Sequence, residues 1–295
     1  MSLGAKETIR ADLFGDPEHE RVRYDRRGPV ALLTLTDEGL NGYTYRMFRQ
    51  LDEYILHARF DPEVQAIVIT GDGEHFCAGA NIKMLEAADA TSKYYFCLHA
   101  NETLSRLEQT PKLVIAAING HCVGGGFEIA LACDLRIARR AGGRIGLPEV
   151  NLGVLPGTGG TQRLTRLLGP AKAMALMLSG ETLESDAALA AGLVTGVIGE
   201  TRTEEVRGKA REVPAMGRDA FVEAVVQVAQ RYCAPERAAL AVGHIKRAVQ
   251  SGGELPLEYG LALERELQAK LFASDDAREG LAAFVEKRAA KFEGR

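Results

Sequence analysis

The chain has 295 residues, 46% of them hydrophobic, and a net charge of −4. That length allows one large domain, or one domain with a smaller appendage, and the hydrophobic fraction suffices for a sizeable core. The slight negative charge argues against a general electrostatic grip on nucleic acid or an anionic membrane, and no apolar run approaches the length of a membrane span.

The opening segment MSLGAKETIR lacks the apolar core of a signal peptide, and residues 1–20 are expected to form a loose polar extension. Five cysteines, odd in number and without CxxC spacing, read as small buried side chains in a reducing compartment. A soluble, cytoplasmic protein is the expectation. The segment VRYDRRGPVALLTLTDEG reads as a hairpin turning at Arg27-Gly28-Pro29, with an alternating strand over residues 30–35. Met47, Leu51, Ile55 and Ala58 share helical spacing within residues 44–59, and Asp61-Pro62 ends that helix. AIVIT (66–70) reads as a buried strand followed by the turn Gly71-Asp72-Gly73. FCAGANIKML (76–85) then passes Gly79 and enters another helix. Residues 92–110 are helical in pattern, and Pro111 separates them from LVIAAI (113–118), a further buried strand. This alternation of strand and helix argues for α/β architecture.

From that strand the chain turns through Asn119-Gly120 to Gly124, Gly125 and Gly126, and FEIALACDLRIA then begins as a helix. Glycines just before a helix let backbone N–H groups face a ligand without side-chain obstruction. Glu128 falls on the first turn, and Glu149 follows in a Pro-Glu pair. Free N–H donors beside two carboxylates suit the chemistry of an enolate, the donors holding the oxygen and the carboxylates moving protons. Each feature alone has a plainer meaning: Glu128 as an acid favoured at a helix N-terminus, Glu149 as a solvated loop carboxylate. PGTGG (156–160) opens the helix TQRLTRLLG, either as a tight connection or as a ligand-facing loop. Another helix follows, and Glu184-Ser185-Asp186 caps a short one after it. The charged residues 200–217 mark a change of organisation. Beyond them the pattern is helical over 218–231, 235–250, 256–272 and 275–290, with apolar positions such as Leu261, Leu263, Leu267, Leu271 and Phe272 in excess of what one layer buries. No internal repeat is visible. The six histidines show no metal-ligand spacing, His121 and Cys122 should point apart in an extended segment, and GxSxG, Walker A and GxGxxG patterns are lacking.

Taken together, FCAGANIKML, AAINGHCVGGGFEIALACDLRIA, LPEVNLGVLPGTGGTQRL and the closing FVEKRAAKF resemble the enoyl-CoA hydratase/isomerase (crotonase) family, over about residues 21–290 and most closely over 64–195. The resemblance implies an α/β crotonase-like (ClpP/crotonase) spiral of ββα repeats over residues 21–200, with a C-terminal helical oligomerisation region over 201–295. It implies a homotrimer or a dimer of trimers acting on an acyl-CoA thioester, with coenzyme A part of the substrate, no separate cofactor, no metal, no nucleic acid and no membrane. By position in the motifs, the backbone N–H groups of Ala80 and Gly125 would form the oxyanion hole. Glu128 would serve the water and Glu149 the α-carbon. Ala78, Gly79, Asn81 and Ile82 would line the CoA, with Lys83 near the ribose phosphate and Lys287 near the adenosine. Phe284 would border the acyl or pantetheine region, and Pro156 and Gly157 the acyl pocket.

Acids at both positions favour a hydratase over a double-bond isomerase, which relies on the second carboxylate; thioester hydrolysis and decarboxylation are other chemistries of the same fold. An RNA-binding relative is a remote alternative that the charge opposes. A peptidase of similar spiral fold would need a serine beside the glycine triplet, and none is there. Three departures from the family pattern stand out: Asn81 where Asp is common, Leu147 where some hydratases are polar, and DEGLNGYT (37–44) in place of the usual motif after the first strand.

Overall fold

The computed structural model describes residues 20–36, 40–206 and 209–294. The extension expected over residues 1–20 therefore lies almost wholly outside the described residues, as does the DEG of DEGLNGYT.

The expected hairpin forms from β1 (Val22–Arg27) and β2 (Val30–Leu35), antiparallel around Gly28-Pro29. β2 then pairs in parallel with β3 (Ala66–Gly71), β3 with β5 (Leu113–Ile118), β5 with β7 (Leu135–Arg139) and β7 with β9 (Gly196–Ile198), completing a six-stranded sheet. All six residues of β2 are buried, so it is not the half-exposed strand expected from its pattern. Both faces of the sheet are covered over β2, β3 and β5, which is why these strands are almost unbroken apolar runs. Leu33, Ile67, Ile69 and Val114 face one cluster with helix α1 (Tyr45–Phe60), while Leu32, Val68 and Ile115 face a second. That second cluster is closed by α8 (Arg218–Gln230), through Phe221, Val222, Val225, Val226 and Ala229. This is the i, i+4, i+8 stripe of an amphipathic helix.

A small parallel sheet, β4 (His75–Cys77), β6 (His121–Val123) and β8 (Ile145–Gly146), runs beside the large one. The chain steps from β3 to β4 and from β5 to β6 within a few residues. After β4 it enters α2 (Ile82–Ala87) and α3 (Ala90–Gln109); after β6 it enters α4 (Gly125–Leu131). The same step from β7 to β8 ends in a short 3-10 turn, Glu149–Leu152. These are turns of the ββα spiral, present although no repeat is visible in the residues. Asn119 fixes one step: its Oδ1 accepts from Thr70 Oγ1 and the Gly71 N–H, and its Nδ2 donates to the Gly73 carbonyl at 3.0 Å. Asn41 Nδ2 likewise reaches the Asp72 and His75 carbonyls at 2.9 and 2.8 Å. Within β6, His121 is exposed and Cys122 buried, so the two side chains diverge as expected.

Helices α5 (Gly160–Leu168), α6 (Pro170–Ser179) and α7 (Ser185–Ala191) follow. Glu184 is the residue preceding α7 but makes no side-chain cap; Ser185 Oγ instead accepts the Ala141 N–H at 3.1 Å. The charged stretch 200–217 is an antiparallel ribbon, β10 (Thr201–Val206) with β11 (Lys209–Pro214). Residues 202–205 and 210–212 are exposed, so neither face carries an apolar stripe that would announce a strand. α9 (Ala239–Gly252) begins four residues later than the 235–250 pattern, after a turn through residues 234–237. α10 (Leu257–Phe272) and α11 (Asp275–Glu286) follow it. α11 stops short of residue 290 because Lys287 takes a left-handed conformation, φ 57°.

One buried ion pair fastens α9 to the core. Lys246 Nζ lies 2.9 Å from Asp134 Oδ2 and donates to the Lys112 carbonyl at 3.1 Å; Asp134 also accepts from the Val114 N–H and from Gln250 Nε2. Burial pushes the Asp134 carboxyl up and Lys246 pulls it back. Removing one partner strands the other charge in the interior. Lys246→Met should therefore lower the unfolding free energy by about 3–5 kcal/mol in urea denaturation. A loss below about 1 kcal/mol would show that the pair behaves as a surface salt bridge.

Candidate active site

The two sheets place the stretch after β4 directly against the start of α4. A Cβ built on Gly126 would sit 2.1 Å from the Cys77 carbonyl oxygen, and one on Gly125 would sit 1.6 Å from Cε1 of Tyr43. Neither glycine can carry a side chain, and the local sequence GGG answers that close approach. Residues 78–80 are held from the other side by backbone bonds. The Ala78 N–H donates to Leu40, the Tyr43 N–H to Gly79 and the Asn81 N–H to Tyr43. Among the described residues, neither the Ala80 N–H nor the Gly125 N–H has an acceptor, and the Gly79 Cβ position lies 3.6 Å from the Gly125 nitrogen. The two donors that the resemblance assigns to an oxyanion hole thus lie on closely approaching segments.

The carboxylates flank this pair and differ in environment. Glu128 on α4 is 1% exposed. Its Oε1 accepts the Thr158 N–H at 2.8 Å and the Gly160 N–H at 2.7 Å, and its Oε2 accepts from Thr158 Oγ1. Burial raises its pKa, and these three hydrogen bonds, with the Lys93 charge, pull it back by stabilising the anion. Glu149 begins the 3-10 turn after β8, and its Oε1 lies 3.1 Å from the Cβ position of Gly124. Its Oε2 is buried without a hydrogen-bond partner. Burial first, and then the neighbouring Glu128, push its pKa up to about 7. Glu128 takes three donors from the loop at 156–160, whereas Glu149 has only its own backbone N–H, and its Oε2 has no partner among the described residues.

Most of the expected site residues therefore converge. Ala78, Gly79 and Ala80 form one wall, Gly125 and Glu128 another, and Glu149 a third. Asn81 caps α2, accepting the Met84 N–H at 3.2 Å, so the amide that replaces the usual acid has a structural task. Ile82 and Lys83 are exposed on the outer side of α2. Pro156 is buried, and a Cβ on Gly157 would sit 3.2 Å from Cys97 Sγ. Leu147 is buried, its Cδ1 3.0 Å from the Cβ position of Gly160, where it packs behind the loop that holds Glu128.

Phe284 and Lys287 do not join them. Phe284 is 84% exposed on α11. The chain just beyond it returns to the opposite end of the large sheet, where the Phe292 N–H donates to Pro235 and the Gly294 Cβ position lies 3.2 Å from Gln65, just before β3. The site lies past the other ends of β3 and β5. Within one chain these two residues are remote from it.

Sequence reasoning missed Tyr43, Lys93, Cys97 and Thr158. Thr158 lies inside the PGTGG loop and donates to Glu128 through both its N–H and its hydroxyl. Lys93, Phe96 and Cys97 lie one turn apart on α3, with Lys93 Nζ 5.2 Å from the Phe96 ring centroid. The Lys93 charge lowers the pKa of both glutamates. The spacing of Lys93 and Cys97 on one face of α3 was the available signal for them. Among the described residues, no group of three or more His, Cys, Asp or Glu could hold a metal ion, and no helix is long and apolar enough to cross a membrane.

Comparison with known proteins identifies the family. The chain matches the enoyl-CoA hydratase/isomerase family over residues 25–216 and 213–295. It is 35% identical over 279 residues to the short-chain-enoyl-CoA hydratase of Clostridium acetobutylicum, covering 94% of this chain and 98% of that protein. It is 34% identical to the 2,3-dehydroadipyl-CoA hydratase of Escherichia coli, with 92% and 97% covered. Among solved structures, an enoyl-CoA hydratase from Geobacillus kaustophilus superposes with a TM-score of 0.84 at 38% identity, covering 94% of this chain and 98% of that one. The fold is therefore the crotonase spiral, and the chain belongs to the enoyl-CoA hydratase/isomerase family.

Proposed function

We propose that this enzyme is a cytoplasmic hydratase that adds water across the 2,3-double bond of an enoyl-CoA thioester. The observation that carries this reading is the unequal pair of buried carboxylates beside two free N–H groups. Hydration needs a base for the water and an acid for the α-carbon. Glu128, given three donors, is suited to the charged form; Glu149, given none at Oε2, is suited to the protonated form. The Glu128 carboxylate takes a proton from water as its oxygen bonds to C3. The π-electrons shift onto the thioester oxygen, held by the Ala80 and Gly125 N–H groups. As the carbonyl re-forms, C2 takes the proton of Glu149. A proton passing from Glu128 to Glu149 restores the starting state, so the two acids titrate as a pair. The relatives named as hydratases support the same reaction.

The CoA that the substrate carries is the only cofactor in this proposal, lying along residues 78–82 with Lys83 toward its phosphates. Phe284 and Lys287 would then act from a second copy, in a trimer or a dimer of trimers. The exposed apolar side chains Leu257, Tyr259, Leu261, Phe272 and Val285 on α10 and α11 support such an assembly.

Two measurements test the mechanism. Base catalysis is typically worth about 10²–10⁴-fold, so Glu128→Gln should lose at least about that factor in hydration of a short enoyl-CoA. Any double-bond isomerase activity should fall far less, since a shift between carbons can run on Glu149. Glu149→Gln should abolish both. Wild-type hydration by Glu128→Gln would contradict the two-carboxylate mechanism.

The second is pH dependence. Activity needs Glu149 protonated, so kcat/KM should fall as pH rises through about 7. It needs Glu128 ionised, so kcat/KM should also fall on the acid side, giving a bell-shaped profile. A rate that rises through that range and stays high would assign Glu149 the role of base.

A further inference from the structure

Tyr43 belongs to the segment that departs from the family pattern, and it touches both halves of the proposed oxyanion hole. Its backbone brackets Ala80: the Tyr43 N–H donates to the Gly79 carbonyl at 2.9 Å, and its carbonyl accepts the Asn81 N–H at 3.1 Å. Its ring meets Gly125. The Cβ position of that glycine lies 1.6 Å from Cε1, 2.4 Å from Cζ and 2.6 Å from the phenolic oxygen. The ring is itself fixed, stacked on Phe96 at 5.4 Å and 9° and edge-on to Phe48 at 5.3 Å and 71°. The residue is 4% exposed.

We infer that Tyr43 is a positioning residue that sets the spacing of the two oxyanion donors. The inference rests on the hydratase reading above. A donor contributes most when it is held, before reaction, where the transition-state oxygen will be. Ala80 and Gly125 come from different turns of the spiral, and the short ladder between β4 and β6 contains an irregularity between His75 and Cys77. That ladder leaves the two donors a degree of freedom. Tyr43 removes it by pinning one donor with its peptide groups and the other with a stacked aromatic edge. The ring, through its contacts with Phe96, Phe48 and Gly125, is the operative part.

The test compares Tyr43→Leu, which removes the ring, with Tyr43→Phe, which removes only the hydroxyl. Turnover of a short enoyl-CoA is measured together with binding of two probes: acetoacetyl-CoA, which can present an enolate, and saturated butyryl-CoA, which cannot readily do so. Tyr43→Leu should lower kcat by about tenfold or more and reduce the preference for acetoacetyl-CoA over butyryl-CoA by a similar factor. Tyr43→Phe should stay within about threefold of wild type in both readouts. Simple loosening of the core would weaken both probes alike, and that result would overturn the inference. So would unchanged kcat in Tyr43→Leu, or an equal loss in Tyr43→Phe, which would transfer the role to the hydroxyl. If Tyr43→Leu does not fold, Tyr43→Met is read in the same way, and failure of both to fold assigns Tyr43 to the core alone. A wild-type enzyme that hydrates no enoyl-CoA would bring down the functional reading and this inference with it; failed variants of an active enzyme bring down this inference only.

Discussion

The site depends on one close approach, that of residues 77–80 to the glycine triplet at the start of α4. The backbones are so near that side chains at Gly125 and Gly126 would overlap Tyr43 and the Cys77 carbonyl. This proximity brings together two segments from distant parts of the chain whose Ala80 and Gly125 N–H groups have no acceptor among the described residues. It follows from the spiral itself. β3, β5 and β7 each step within a few residues into the small sheet, and Asn119 and Asn41 bind the carbonyls at the first of these steps. Carbonyls that leave the ladder at a sharp step need partners, and two asparagines supply them.

Around that contact the protein creates an asymmetry of charge. Two carboxylates close together in a dry site cannot both ionise freely. Here the second layer decides which one does: Thr158 and Gly160 of the PGTGG loop direct three hydrogen bonds to Glu128, and Lys93 stands by as a nearby cation. Glu149 Oε2 is buried without a protein hydrogen-bond partner among the described residues. In the proposed mechanism, the glycine-rich loop acts on the substrate at one remove, through its hydrogen bonds to Glu128.

Much of this was legible in the sequence, for identifiable reasons. The strands at 66–70 and 113–118 lie between two clusters, so their apolar runs are unbroken, and the helix at 45–60 carries a clear stripe. The glycines and both glutamates belong to local motifs that survive as words in the chain. What escaped was short or exposed. β4, β6 and β8 have three residues or fewer and show no period, which also hid the spiral repeat. The ribbon at 201–214 is wet on both faces. Tyr43 escaped because its partners, Gly79, Asn81, Phe96 and Gly125, are brought to it only by the fold. Phe284 and Lys287 show the converse limit: a motif fixes their identity without stating which copy of the chain they would serve.

The central claim is that, in the free enzyme, Glu149 holds the proton and Glu128 the charge. Infrared difference spectroscopy of the protonated-carboxyl C=O stretch across a pH titration tests it most directly. The account predicts a band that titrates with a midpoint near 7, survives in Glu128→Gln with its midpoint shifted down by loss of the neighbouring negative charge, and disappears in Glu149→Gln. A band that instead disappears in Glu128→Gln and survives in Glu149→Gln would place the proton on the wrong acid and contradict the account.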